Sequence, residues 1–536
     1  MLTKKEQRKY RSQLFRHLDG IAMIPVATVL SEKDVLEWIL SQEVVDIDEL
    51  SQKFNANEGY LNVALRLMCS QGWLIQELDN DKDRVRYHIN EKSALAFEMI
   101  QQCKEVNSHL SSISEFDPRK LSGNSIARMG VLFDKYRSEF DLPKGKSALE
   151  KKVREQLLMH IEGALAAPLI VMLGMGGMFH KYFMEASFRS DEYHRDGEDF
   201  EVILDFFAHL NWFKKNGRTY EFTPKGLFFA KRASAYGVTV SYLPTFRKIE
   251  ELIFGNPLCL KSKAGEEEKH VNREMNVWGS GGAHSAYFKK VDEIVIDLFN
   301  RPISEQPKGV LDMGCGNGAF LIHLFDVIER RTYRGKVLDE YPLLLVGADY
   351  NNSALKVTRA NLVKSDIWAK VVWGDIGRPD LLDQTLTEEY GIDMSELLNV
   401  RTFLDHNRIW SPPVKRSERI SSSTGAFAFE GKRINNNELE DNLLEHFNNW
   451  APFIDKFGLL VIELHTIDPQ LTAAHLGKTP TTAYDATHGF SDQFIVEAEV
   501  FLRIAAEAGL KSDERLRARF PDSELATITV NLLKGY

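Results

Sequence analysis

Residues 308–320 read KGVLDMGCGNGAF, and this stretch decides the fold. An apolar strand through Val310 and Leu311 ends at Asp312. Gly314, Gly316 and Gly318 then alternate before a helix opens at Ala319. Glycines so placed let the first strand-to-helix turn of a doubly wound sheet be tight and let its backbone approach a ligand. The spacing is DxGxGxG rather than the GxGxxG of dinucleotide binders. A carboxylate just ahead of the loop suits a ligand's ammonium group and repels a pyrophosphate.

Downstream, the strand Leu343–Ala348 ends in Asp349, where a carboxylate can accept both hydroxyls of a ribose. Ala369–Trp373 runs into Gly374-Asp375-Ile376; Asp375 can receive an adenine amino group and Ile376 can pack on the ring. A fourth strand, Leu397–Phe403, leads to Leu404-Asp405-His406. A fifth, Gly458–Leu464, follows a helix over Asn442–Phe457, and a helix Phe494–Gly509 precedes the alternating strand Leu525–Leu533. Open α/β sheets hold ligands at the C-terminal ends of their strands. This succession over residues 290–536 resembles the class I S-adenosylmethionine-dependent methyltransferases. The resemblance implies a Rossmann-like α/β catalytic domain. S-Adenosylmethionine would be held by Asp312, Gly314, Gly316 and Gly318 at its methionine end, Asp349 at the ribose, and Asp375 with Ile376 at the adenine.

Upstream lies a weak internal repeat. From Leu61 the chain reads LNVALRLMCSQGWL, a charged turn, then VRYHINEKSALAF; from Phe200 it reads FEVILDFFAHLNWF, KKNGRT, then YEFTPKGLFFA. Each copy is an amphipathic helix, an aromatic step, a polar turn and an alternating strand, the C-terminal part of a winged helix. Glu32–Leu40 and Ile47–Phe54 supply two further helices to the first copy. The expected domains are a winged-helix-like unit over 1–105, a helical region with a second such unit over 106–285 acting as lid or dimerisation module, and the methyltransferase core over 286–536. The candidate recognition helix Tyr60–Cys69 offers only Arg66 as a cation, too few for reading DNA. Pro143-Lys-Gly-Lys-Ser reads as a linker and lacks the first glycine of a P-loop. Lys261–Lys269 reads as a solvated connector, and VWGSGGAHSAYF from Val277 leads into a helix over Phe288–Phe299.

Composition narrows the class. A chain of 536 residues exceeds one hydrophobic core. A net charge of −10 argues against a broad phosphate-binding face, so nucleic acid is not an expected partner; nor is a membrane, because the most apolar stretch is too short to span one. Cys69, Cys103, Cys259 and Cys315 are scattered with no CxxC pair, which fits a reducing cytoplasm. The charged N-terminus lacks a signal-peptide core. Ala164–Phe179, the most apolar stretch, is short and contains Pro168, and so reads as a buried helix and turn.

Two insertions stand out. Ile409–Asn437 is long, polar and rich in Arg and Ser, and reads as a mobile loop over the substrate. His465–Asp492 reads as a second loop carrying His465, His475 and His488, followed by Gln493. His465 ends the fifth strand, and His488 and Gln493 immediately open the next helix, so that they could converge with it. Two imidazoles and one oxygen donor match a facial site for iron or manganese, which would polarise a substrate carbonyl. The plainer alternative is a histidine-bearing loop with one general base.

NVRTFLDHNR at 399–408, VIELHTID at 461–468 and THGFSDQF at 487–494, behind a helical and winged N-terminal half, resemble a narrower family. These are the metal-dependent methyltransferases of polyketide synthase loading modules that sit beside an acetyltransferase-like domain, as in apratoxin assembly. The resemblance implies C-methylation of a malonyl group on an acyl carrier protein, with iron or manganese held by His465, His488 and Gln493. It also puts His406 where other polyketide C-methyltransferases carry a general base, so His406 and His465 are the catalytic candidates. Asp405 and His406 could equally orient substrate, Arg401 or Arg408 could bind a substrate carboxylate, or the segment could be a plain surface turn. No acetyltransferase-like segment follows Tyr536, leaving an excised domain or a free-standing relative as the expectation. Two rivals stay open. One is a metal-independent O-methyltransferase of a free small molecule, dimerising through its winged helices as a homodimer. The other is a nucleic-acid-binding regulator that only senses the cofactor.

Overall fold

The structure is a computed structural model and describes residues 2–113, 123–262, 268–281 and 284–535. The C-terminal domain is built on strands β1 (Gly309–Met313), β2 (Leu344–Asp349), β3 (Lys370–Trp373), β4 (Leu397–Thr402), β5 (Leu459–Leu464), β6 (Leu510–Ser512), β7 (Ala518–Phe520) and β8 (Ile528–Gly535). Their order is β6-β8-β5-β4-β1-β2-β3, with β7 also on β8. Strands β1 to β5 run parallel, and β8 lies antiparallel to β5, β6 and β7. Every residue of β1 and β5 is buried, as parallel strands covered on both faces require. After β1 the chain moves outward to β2 and β3, then returns to place β4 on the other side of β1. That reversal is the topological switch point at which such sheets bind ligands.

The internal repeat is real. In the first copy Val44–Asp46, Ile75–Asp79 and Arg84–His88 form a sheet with the third strand central; Phe188–Arg189, Phe213–Asn216 and Thr219–Phe222 repeat that order in the second. Both copies leave their helix through a left-handed residue, Gly72 (φ +72°) or Asn211 (φ +61°), just before a buried tryptophan, Trp73 or Trp212. The turn reverses the chain and the indole anchors it.

Two long helices, Lys4–Glu32 and Ala148–Met175, cross at the centre of the N-terminal half. A Cβ on Gly20 would lie 2.2 Å from the carbonyl oxygen of His160, and one on Gly163 would lie 2.4 Å from Cα of His17. Among the described residues these two helices are long and apolar enough to cross a membrane, but 83% of each apolar window is buried. The stretch Ala164–Phe179 accordingly runs through the second of them, past Pro168, into the turn at Gly176 and Gly177.

The expected recognition helix, Glu58–Ser70, is buried along most of its length against the C-terminal domain. It packs on a hairpin of Phe427–Phe429 and Lys432–Ile434 and on helices Pro469–Ala474 and Thr481–Gly489. Arg66 pairs with Asp485 at 3.0 Å and donates to the Ile467 carbonyl at 2.9 Å and to Thr466 at 3.1 Å. Its one cation faces protein rather than a nucleic-acid groove. The core of the N-terminal half also takes in Ala428, Ala483, Ala486 and Phe490 of the C-terminal domain.

Both expected loops are corrected. The insertion Ile409–Asn437 is pinned rather than mobile: Ser417, Arg419, Ser421, Ser423 and Thr424 bond the buried or half-buried carboxylates of Glu440, Asp441 and Glu497. It then forms the hairpin. His465–Asp492 contains two helices, and His488 closes the second rather than opening the next, which starts at Ala498. The Lys261–Lys269 connector falls at 263–267 outside the described residues, as do Gly282 and Ala283 of the stretch after Val277.

Candidate active site

At the end of β1 the glycine loop is left-handed at each glycine, with φ of +81° at Gly314, +56° at Gly316 and +78° at Gly318. At Gly314 an added Cβ would meet Leu404 at 2.8 Å, whereas at Gly316 it would meet nothing within 4 Å among the described residues. The loop is packed on one side and open on the other. Asp312 is buried, and its Oδ2 has no hydrogen-bond partner among the described residues. Burial, and then the neighbouring Asp349, push its carboxyl up to about 7. An orphaned buried carboxylate beside an open glycine cradle fits a cationic amine.

Asp349, at the end of β2, accepts the Gly316 N–H at 3.0 Å and the Asn351 N–H at 2.8 Å. Burial raises its carboxyl. Asp375 follows β3, half-buried, and accepts the Gly377 N–H at 2.8 Å; Ile376 beside it is buried. The strand ends thus bring Asp312, Gly314, Gly316, Gly318, Asp349, Asp375 and Ile376 along one rim of the sheet.

The segment after β4 is no surface turn: Asp405, His406 and Arg408 are all buried. His406 Nδ1 lies 2.5 Å from Glu463 Oε1. Glu463, on β5, also accepts the Asp405 N–H at 2.9 Å and the Leu464 N–H at 2.7 Å. A carboxylate on Nδ1 fixes the tautomer and leaves the Nε2 lone pair free. The His488 ring stands 4.9 Å from that of His406, centroid to centroid. Burial, and then His406, hold His488 down to about 3, so it stays neutral.

Residues 268–531 match the AprA MT2-like domain, residues 162–256 the AprA winged helix domain, and residues 10–76 the AprA N-terminal domain. The chain is a methyltransferase of the AprA type. Its methyl donor is S-adenosylmethionine, and the open cradle, the orphaned Asp312 oxygen and Asp349 suit that donor. Among solved structures, the mitomycin 7-O-methyltransferase MmcR is similar at 11% identity, with a TM-score of 0.42, over 73% of this chain and 99% of that one. An O-methyltransferase family protein from Burkholderia thailandensis is similar at 10% identity and the same TM-score, over 73% and 99%. No curated protein matches the chain.

In this AprA-type site one of the three expected metal ligands, His465, has both ring nitrogens hydrogen-bonded within the protein. His465 is fully buried, with Nδ1 3.1 Å from the Val496 carbonyl and Nε2 2.8 Å from the Thr529 hydroxyl. The carbonyl takes its proton and the hydroxyl its lone pair, so neither nitrogen is left for a metal or a substrate. Burial holds it down to about 4, neutral. His488 gives Nδ1 to the Tyr484 carbonyl at 2.8 Å, and Gln493 donates its amide to Tyr242 at 3.2 Å and Ser491 at 3.0 Å. The pair that could still act as donors lacks its third member.

Arg401 and Arg408, the candidate carboxylate binders, each use part of their guanidinium within the protein, while Arg401 Nε and Nη2 and Arg408 Nη2 have no hydrogen-bond partner among the described residues. Arg401 pairs with Asp405 and lies 3.8 Å over the Trp450 ring. Arg408 donates to Asn442 at 2.7 Å and to the Asp405 carbonyl at 2.9 Å. Sequence reasoning missed Glu463 and His446, which lies 2.9 Å from Asp405. Glu463 stands inside the quoted VIELHTID, two residues before the histidine that drew attention.

Proposed function

We propose that this AprA-type enzyme C-methylates the α-carbon of a malonyl-type acyl group carried on an acyl carrier protein in polyketide biosynthesis. The observation that carries the reading is the His406–Glu463 pair, 2.5 Å apart and buried at the switch-point end of the sheet. A histidine so oriented is a general base: Nε2 takes the α-proton, and Glu463 stabilises the imidazolium that results. The electron pair left on the α-carbon would form the new C–C bond to the methyl that S-adenosylmethionine, when bound at the glycine loop, supplies as an electrophile; the S–CH3 bond breaks with its electron pair on sulfur, and S-adenosylhomocysteine leaves. Alignment of carbon and methyl then accounts for much of the rate. His465 has no free lone pair, so this scheme uses no metal ion held by His465.

The test offers malonyl-carrier protein and a panel of phenols to wild-type enzyme, His406→Asn and Glu463→Gln, and locates the methyl by mass spectrometry. Wild type should methylate carbon, and each variant should lose about 100-fold or more in turnover with S-adenosylhomocysteine affinity held within about threefold. Methylation confined to hydroxyl acceptors would replace this reading with the O-methyltransferase.

A further inference from the structure

A continuous set of buried contacts joins the expected adenine wall to the base. Trp450 is fully buried on helix Asn436–Ile454, and its indole N–H donates to the Ile376 carbonyl at 2.7 Å. The Arg401 guanidinium stacks on that indole at 3.8 Å and donates to Asp405. His446, one helical turn before Trp450, bonds the same Asp405 oxygen at 2.9 Å. The backbone N–H of Asp405 goes to Glu463, whose other oxygen holds His406. Burial opposes ionisation of Asp405, but Arg401 and His446 outweigh it and keep the carboxyl well below its usual range. None of Ile376, Trp450, Arg401 or Asp405 is free to move alone, because each is packed in the core or tied to the next.

We propose that Trp450 and Arg401 are positioning residues that couple occupancy of the adenine subsite to the placement of His406. The inference rests on the assignment of Asp375 and Ile376 to adenine and of His406 as base. A ligand on the Ile376 segment fixes the carbonyl that Trp450 holds; Trp450 fixes the plane of Arg401; and Arg401 with His446 fixes Asp405, whose neighbour is the base. The base is thereby set in place when the methyl donor is present and is looser when it is not.

The experiment uses adenosine, which fills only the adenine and ribose subsites and does not reach His406. Hydrogen exchange is followed by mass spectrometry at segments 374–378 and 403–408 of the full chain. In wild type, adenosine should slow exchange in both segments. In Trp450→Phe, which keeps a ring under Arg401 and removes the N–H, protection at 374–378 should persist while that at 403–408 is lost. Arg401→Lys, which keeps the charge and removes the planar stack, should show the same loss. Thermal unfolding verifies that both variants are folded. Turnover should fall more than tenfold in each, with S-adenosylhomocysteine affinity held within threefold. Equal protection of 403–408 in wild type and in a folded variant overturns the proposal, as does a wild type protected at 374–378 alone. If adenosine protects neither segment in wild type, the adenine assignment itself fails, and that failure is distinct from loss of the coupling.

Discussion

Asp312 carries two opposite pH signatures. Without ligand, its carboxyl is raised from 3.8 to about 7, so the folded chain binds that proton more tightly than the unfolded chain. Its contribution to stability is therefore fully present below 3.8 and is lost as pH rises towards about 7. A cationic amine needs the carboxylate, so S-adenosylhomocysteine should bind more tightly as pH rises through about 7 and level off above it. Calorimetry in buffers of different ionisation enthalpy should show a proton released on binding below that pH, and Asp312→Asn should show none. His465→Ala supplies a second check. Because Val496 and Thr529 occupy its nitrogens, the variant should match wild type in iron and manganese by elemental analysis and should unfold at a lower temperature. Asp312 and the glycines were legible because their chemistry is local: strand, loop and helix lie within thirteen residues. Glu463 was not, because its partner His406 lies 57 positions away and only the fold decides whether Glu463 or His465 meets it.

The insertion after β4 shows where composition misleads at the scale of an element. Its serines and arginines read as solvated, yet Ser421 bonds Glu440, which is fully buried, and Arg419 bonds Asp441 at 2.6 Å. A polar run looks the same whether its partners are water or carboxylates on a helix further along the chain. Asp441→Ala should release the first half of this segment, where Lys415 and Arg416 become early tryptic sites. The stability cost should be about 1–3 kcal/mol, since Arg419 keeps Glu440 and Glu507. Limited proteolysis with denaturant unfolding measures both. The sheet strands and the two wings were legible for the converse reason, because alternation and apolar runs are set by neighbours in sequence.

The whole molecule is held together by charge as well as by apolar packing. Arg66 and Asp485 are both buried, on opposite halves of the chain. Removing either alone leaves the other uncompensated, at a cost of about 3–5 kcal/mol. Arg66→Ala should therefore destabilise strongly, and the double variant Arg66→Ala/Asp485→Ala should recover part of the loss in a double-mutant cycle. Sequence argued against DNA reading by this helix; that its surface is the methyltransferase domain followed only from the folded chain. The close crossing at Gly20 and Gly163 bears on how the protein is made. On the ribosome the first helix emerges roughly 140 residues before the helix it must meet, a wait of about 7–30 s at ordinary translation rates. Through that interval the first helix has only the short helices before residue 114 to pack on and lacks the partner that meets it at Gly20, so chaperone engagement of the nascent chain is the expected consequence.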